Sequence, residues 1–177
     1  MNKKFHVLET QRLYLREVRP TDASAMFHMI HHNPKVLETF LAQYIENEAE
    51  AHVDNLLLYQ ENGHLIYIIE LKETGAAIGL LLEQTDENKT MELGYAIGEP
   101  YWNQGYTTEA MRAVIAYLFK KGYQKVTAQC FIENKASECV MIKSGMTKTE
   151  TQYTLHYQDK DHLVIEYEIL NQPGNNN

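Results

Sequence analysis

Between Met91 and Ala110 the chain reads Met91-Glu92-Leu93-Gly94-Tyr95-Ala96-Ile97, then Gly98-Glu99-Pro100-Tyr101-Trp102-Asn103-Gln104-Gly105, then Tyr106-Thr107-Thr108-Glu109-Ala110. The pattern is a strand, a polar loop containing glycine, and the start of a helix. In that order the loop amides converge at the positive end of the helix, which suits a phosphate or pyrophosphate. Gly105 removes a side chain where the backbone has to approach a ligand. The same residues also suit an ordinary strand-to-helix turn with capping threonines. Neither GxxxxGK[ST] nor GxGxxG is present, which excludes a P-loop nucleotidase and argues against a dinucleotide site.

Strand alternation puts Glu92, Gly94 and Ala96 on one face and Met91, Leu93, Tyr95 and Ile97 on the other. A carboxylate between apolar neighbours needs a partner or a task, which singles out Glu92. Ser137, one turn after Asn134, sits where a serine often caps a helix. Met141 on the same face reads as core. The two cysteines, Cys130 and Cys139, have neither zinc-ligand spacing nor a neighbouring histidine, and they read as small buried hydrophobes. His28 and His32 share a helix face near His31, but no third ligand accompanies them and no metal is expected.

The run Asn103-Gln104-Gly105-Tyr106-Thr107-Thr108-Glu109-Ala110 resembles the acetyl-coenzyme A pyrophosphate loop of GNAT N-acetyltransferases, [RQ]-x-x-G-x-[GA]. Gly105 matches its first glycine, Thr107 stands where Gly or Ala is usual, and Trp102 replaces the leading Arg or Gln. Downstream, Asn134, Ser137, Val140, Met141, Lys143, Gly145 and Met146 match the N-x-x-S-x-x-V-M-x-K-x-G-[FM] helix of the ribosomal-protein serine/alanine N-terminal acetyltransferase subgroup. The opening Leu8 to Arg16 and the Pro20-Thr21-Asp22 helix start are similar to that subgroup too, so the resemblance spans about residues 8 to 170.

That resemblance implies acetyl transfer from acetyl-coenzyme A to a primary amine by direct attack on the thioester. The acceptor it suggests first is a protein N-terminal α-amine, such as that of a ribosomal protein. A polyamine or an aminoglycoside is also compatible, and a non-catalytic acetyl-coenzyme A-binding module is the alternative. The implied cofactor-binding residues are Tyr95, Ile97, Asn103, Gln104, Gly105, Tyr106, Thr107, Thr108 and Asn134. The pantetheine arm would lie between the strands holding Tyr95 and Phe131, and a strand amide would stabilise the oxyanion. Glu92 would be the base, with Glu166 and His162 next in line, and Ser137 would assist the departing sulfur. The irregular segment from Asn33 to Glu50, with Glu38, Glu46, Glu48 and Glu50, would sit with the Gln158–Asp161 turn beside the acceptor channel.

The elements that must position these groups follow from hydrophobic period. The chain has 177 residues, enough for one domain, and its 44% hydrophobic and 23% charged fractions are those of an ordinary globule. A net charge of -8 argues against nucleic acid and suits a cationic acceptor. No apolar run approaches the ~18 residues of a membrane span, and no signal core follows the start, so a cytoplasmic protein is expected. Strands are expected around Leu13–Val18, Leu65–Leu71, Ala77–Leu82, Met91–Ile97, Lys125–Phe131, Thr147–Tyr157 and Leu163–Leu170, with Thr85–Lys89 as a polar turn. Helices are expected at Ala23–His31, from Asn47 to Asn62, from Thr107 or Thr108 to Lys121, and at Lys135–Lys143. The expected fold is therefore α/β of the α+β type, a mixed, mostly antiparallel sheet of about seven strands flanked by about four helices. One domain would occupy residues 1–170, and 171–177 would form a disordered polar tail. Monomer and homodimer both stay open.

Overall fold

A computed structural model describes residues 7–39, 56–57 and 65–172. Eight strands form one sheet: β1 (Leu8–Glu9), β2 (Leu13–Arg16), β3 (Ile66–Leu71), β4 (Ala77–Glu87), β5 (Thr90–Ile97), β6 (Lys125–Phe131), β7 (Thr147–Tyr157) and β8 (Lys160–Leu170). Their order is β1-β2-β3-β4-β5-β6-β8-β7. All neighbours pair antiparallel except β5 and β6. The described helices are α1 (Ala23–Met26), α2 (Pro34–Leu37), α3 (Tyr106–Lys120) and α4 (Lys135–Lys143). The strand beyond the expected seven is β1, too short to carry a period. The helix expected from Ala23 to His31 widens into a π turn over Phe27–His31. The helix expected from Asn47 to Asn62 lies outside the described residues except for Leu56 and Leu57, which are helical.

Each sheet face buries its own apolar set. On one, Met111, Val114, Ile115 and Leu118 of α3 pack on Leu13, Leu15, Tyr67, Ile69, Met91, Leu93 and Val126. Their i, i+3, i+4, i+7 spacing is the stripe that a helix presents to a sheet. On the other face Val18, Met26, Ile30 and Val36 cover Ile66, Ile68, Leu80 and Ala96. This second layer covers the β3–β5 part of the sheet.

The turn after β4 is shorter than the polar sequence suggests. The strand runs to Glu87, and Asn88 and Lys89, with φ of 50° and 60°, alone reverse the chain. Two left-handed residues match the twist of a two-residue hairpin, and asparagine tolerates that region better than most residues. Gln158 and Asp159, with φ of 50° and 58°, do the same between β7 and β8. Asn171 follows the last strand and is tied to the loop before β6. The Asn171 amide donates to the Gln124 carbonyl at 2.8 Å, and its Nδ2 donates to the Tyr123 carbonyl at 3.1 Å.

The link from β2 into the first helices is held by charge. Arg16, 4% exposed, donates Nη1 and Nη2 to the two carboxylate oxygens of Asp22 at 2.8 and 2.7 Å, while its Nε pairs with Glu70 on β3. Asp22, 3% exposed, also accepts the Arg19 amide at 2.8 Å. Asp22 thus serves less as the cap of α1 than as the anchor of the turn before it. The pairing raises the Arg16 pKa above its already high ordinary value. Removing one partner of a buried ion pair leaves the other charge desolvated. Asp22→Ala should therefore cost on the order of 3 kcal/mol of unfolding free energy in urea, and a loss below ~0.5 kcal/mol would contradict this anchoring role.

Candidate active site

The parallel ladder between β5 and β6 is short. Its register is Thr90 with Lys125, Met91 with Val126 and Glu92 with Thr127, and there it ends. Beyond Glu92, β5 stays paired with β4 while β6 stays paired with β8. The register of β4 against β5 shifts between Glu83 and Thr85, leaving Gln84 as the additional residue of a bulge. A bulge bends its strand and increases local twist. Gly94 accommodates it: a Cβ there would sit 3.0 Å from Gln84 Cδ.

The two strands therefore diverge, opening a cleft of about 660 Å³. It is lined by Glu92, Tyr95, Ile97, Asn103, Gly105, Tyr106, Thr107, Thr108, Asn134 and Ser137. Of the expected cofactor-binding residues, with Glu92 and Ser137, only Gln104 stands back from the lining. Its Nε2 donates to the Pro100 carbonyl at 2.9 Å, and its carbonyl accepts Arg12 Nη1 at 3.0 Å.

The loop between β5 and α3 is built to expose amides. Trp102, in the place of the usual Arg or Gln, donates Nε1 to the Ile97 carbonyl at 2.9 Å and closes the loop onto its own strand. Asn103 has φ of 59° and Gly105 has φ of 80°. A Cβ on Gly105 would meet only Arg12 Nη2, at 3.5 Å, so the protein itself demands glycine for its torsion rather than for space. The Glu109 amide bonds back to the Gly105 carbonyl at 3.0 Å, and the amides before it precede the helix's own ladder.

One buttress of this loop is not apparent in the sequence. Glu109 accepts the Thr10 hydroxyl at 2.6 Å, the Arg12 amide at 2.8 Å and Arg12 Nε at 2.7 Å. The Arg12 guanidinium lies 4.3 Å from the Tyr106 ring centroid. Burial acts to raise the Glu109 pKa, but the bonds from Thr10 and Arg12 outweigh it and hold the carboxyl below its usual range. Arg12 and Glu109 are distant in sequence, and neither spacing nor period links them.

The other wall is the start of α4. Asn134 Oδ1 accepts the Ser137 amide at 3.0 Å, so Asn134 is the cap and the Ser137 hydroxyl has no capping duty. Instead Ser137 Oγ lies 2.7 Å from Tyr95 Oη of β5. Burial, reinforced by Glu138, pushes the nearby Cys130 thiol up to about 11, although Ser137 opposes the shift. A thiol in that state is a poor nucleophile at neutral pH. Cys139 is exposed. Met141 is fully buried in the core.

Glu92 opens onto a polar sheet face. Tyr153 of β7 donates to Gln129 Oε1 at 2.6 Å, and Gln129 Nε2 donates to Glu166 at 3.3 Å. Burial, together with the negative charges of Glu92 and Glu166, raises the Tyr153 phenol. Sequence reading missed Gln129 and Tyr153, because only the β6-β8-β7 order brings them together. The other two candidate bases, Glu166 and His162, both lie on β8. Glu166 also accepts the Thr149 hydroxyl at 3.1 Å. His162, 9% exposed, pairs with Glu133 and stacks on Phe131 at 4.2 Å between ring centroids.

At the opposite mouth the Tyr157 hydroxyl and Gln158 Nε2 donate to the Leu37 carbonyl at 2.8 and 3.2 Å, so the Asn33 segment and the β7–β8 turn do meet. Glu38 lines the cleft there, while Glu46, Glu48 and Glu50 lie outside the described residues. The rings of His28 and His32 pack against Phe27, at 5.1 and 5.0 Å. Among the described residues no group of three or more His, Cys, Asp or Glu side chains is placed to hold a metal, and no helix is long and apolar enough to cross a membrane.

The family model for the acetyltransferase (GNAT) domain matches residues 12–147. The uncharacterized N-acetyltransferase YoaA of Bacillus subtilis is 29% identical over 161 residues, covering 88% of this chain and 90% of the relative. The ribosomal-protein-serine acetyltransferase of Escherichia coli is 24% identical over 144 residues, covering 77% and 79%. Among solved structures, a GNAT-family acetyltransferase from Bacillus anthracis superposes with a TM-score of 0.82 at 22% identity, covering 94% of this chain and 99% of its own. RimL, the ribosomal L7/L12 alpha-N-protein acetyltransferase in complex with coenzyme A, superposes with a TM-score of 0.80 at 21% identity, covering 93% and 98%. With the diverging strands and the left-handed loop found where such a fold needs them, the chain belongs to the GNAT family of N-acetyltransferases, which use acetyl-coenzyme A as acyl donor.

Proposed function

We propose that this enzyme acetylates a protein N-terminal α-amine in the cytoplasm, with Glu92 as general base and Ser137 as hydrogen-bond donor to the departing sulfur. The observation that carries the reading is that Glu92, Ser137 and, apart from Gln104, the Asn103–Thr108 loop line one cleft. The pyrophosphate of acetyl-coenzyme A would rest on the amides of Asn103, Gln104, Gly105, Tyr106, Thr107 and Thr108, where the α3 dipole favours negative charge. The pantetheine arm would run along the β5 backbone at Tyr95 and Ile97 and past Asn134. β5 has left the β6 ladder there, so its backbone groups can bond to a ligand.

An α-amine with a pKa near 8 is about 10% neutral at pH 7, whereas a lysine amine near 10.4 is neutral roughly once in 2,500 molecules. An N-terminus therefore needs the lesser help from a base. The attacking nitrogen forms the new C–N bond, the C–S bond breaks, and the nitrogen's proton passes to Glu92 directly or through water. A strand amide of β5 offers a donor to the oxyanion. The ribosomal-protein names of two relatives support an N-terminal acceptor, and the acidic chain also suits a polyamine or an aminoglycoside.

Two outcomes test this reading. Glu92→Gln keeps the shape of the side chain but cannot take a proton. Thiol release with a serine-initiated peptide should slow by about 10²-fold and lose the acidic limb of its pH profile. An unaltered rate and profile would remove Glu92 from the chemistry, and turnover of spermidine or kanamycin in place of every peptide would reassign the acceptor. Gly105→Val forces a β-branched residue into a left-handed torsion and disperses the loop amides. Calorimetry should then show at least a tenfold weaker affinity for coenzyme A, and equal affinity would displace the pyrophosphate from this loop.

A further inference from the structure

The hydroxyl of Ser137 does not face the cleft alone. Tyr95 Oη lies 2.7 Å from Ser137 Oγ and 3.1 Å from the Ser137 carbonyl oxygen. A phenol has one proton to donate, and it has two acceptors on a single residue here. The Ser137 carbonyl belongs to the first turn of α4, where the helix's own ladder already supplies a donor. The shorter contact is the one to Oγ. Ser137 is otherwise fixed by its amide on Asn134, and its hydroxyl also hydrogen-bonds with the Cys130 thiol, which burial keeps protonated, so its main chain and its hydroxyl are both held.

We propose that Tyr95 is a positioning residue that acts through Ser137: by donating to Ser137 Oγ it turns the serine's own proton toward the cleft and strengthens it as a donor to the coenzyme A sulfur. This rests on the reading of Ser137 given above. A hydroxyl that accepts one hydrogen bond becomes a better donor in the next, so the two bonds reinforce each other. The step needs no proton transfer to sulfur. A thiol with a pKa near 8.5 leaves readily as thiolate, and its anion is too weak a base to strip an aliphatic hydroxyl. What the thiolate gains is a charge-assisted hydrogen bond as the C–S bond breaks.

Burial keeps the Tyr95 phenol protonated, with its pKa well above the usual tyrosine value although the Ser137 bond acts to lower it. Tyr95 therefore stays a donor across the working pH range. The titratable groups that act on the same corner are Cys130 on β6, Glu133 in the turn after it, and Lys135 and Glu138 on α4.

The test requires no acceptor. Coenzyme A alone is bound to the full-length protein, and the thiolate absorbance of the complex, less that of the free protein, is followed as pH rises. Calorimetry fixes the bound fraction for each variant. Ser137→Ala should raise the pKa of the bound thiol by about 0.5–1 unit, the worth of one hydrogen bond. Tyr95→Phe, which keeps the ring and loses only the hydroxyl, should raise it by a smaller amount. The double variant should match Ser137→Ala, since Tyr95 has nothing to act through once the serine hydroxyl is gone. A thiol pKa in Tyr95→Phe equal to wild type, with Ser137→Ala raised, would overturn the role of Tyr95 and leave Ser137 standing. Shifts that add in the double variant would also overturn it, because Tyr95 would then act on the sulfur independently. An unshifted Ser137→Ala would instead defeat the Ser137 reading and this proposal with it.

Discussion

β5 cannot pair along its whole length with both neighbours, and the rest of the site depends on that conflict. It follows β4 through a bulge at Gln84 that twists it away from β6, and the parallel ladder stops at Glu92 and Thr127. Antiparallel pairing on the β4 side continues to Ile97, whereas β6 holds to β8 up to Phe131. Strand backbone that leaves a ladder must find another partner. In the proposed reading a ligand with amide groups and an extended arm supplies one, and the gap in the sheet is the means of binding.

The two helices on either side of that gap are fixed by polar contacts as much as by packing. α3 carries its apolar stripe into the core, but its first turn is oriented by Glu109, which gathers donors from Thr10 and Arg12. That pairing ties Thr10 and Arg12 to the loop that lines the cleft. α4 is short, and its register is set by the Asn134 cap. The cap releases the serine at its third position to meet Tyr95. Tethered in this way, both helix starts line one volume.

Much of this arrangement was legible in the sequence where the signal is local. The periods of Met91–Ile97 and Ala110–Leu118 marked a strand and a helix, and Asn103–Ala110 between them marked the loop. Asn134 and Ser137 were visible through the resemblance of their helix to that of the family, although the capping role belonged to Asn134. What stayed hidden is non-local. No feature of a linear chain links Arg12 to Glu109 or Gln129 to Tyr153, because those contacts follow from strand order. The sequence suggests a longer turn than the Asn88-Lys89 reversal, since Thr85 and Glu87 are polar residue types that suit a loop as well as a strand. The π turn at Phe27–His31 left no mark on hydrophobic spacing, and β1 was too short to show any period.

The central claim is that the separation of β5 from β6 is the acetyl-coenzyme A site, and amide hydrogen exchange with and without coenzyme A addresses it directly. The account predicts that β5 amides beyond Glu92 and the amides of Asn103–Thr108 gain protection when coenzyme A is added, while those of β7 and β8 do not change. Unchanged exchange at Tyr95–Ile97 with new protection elsewhere in the chain would contradict it.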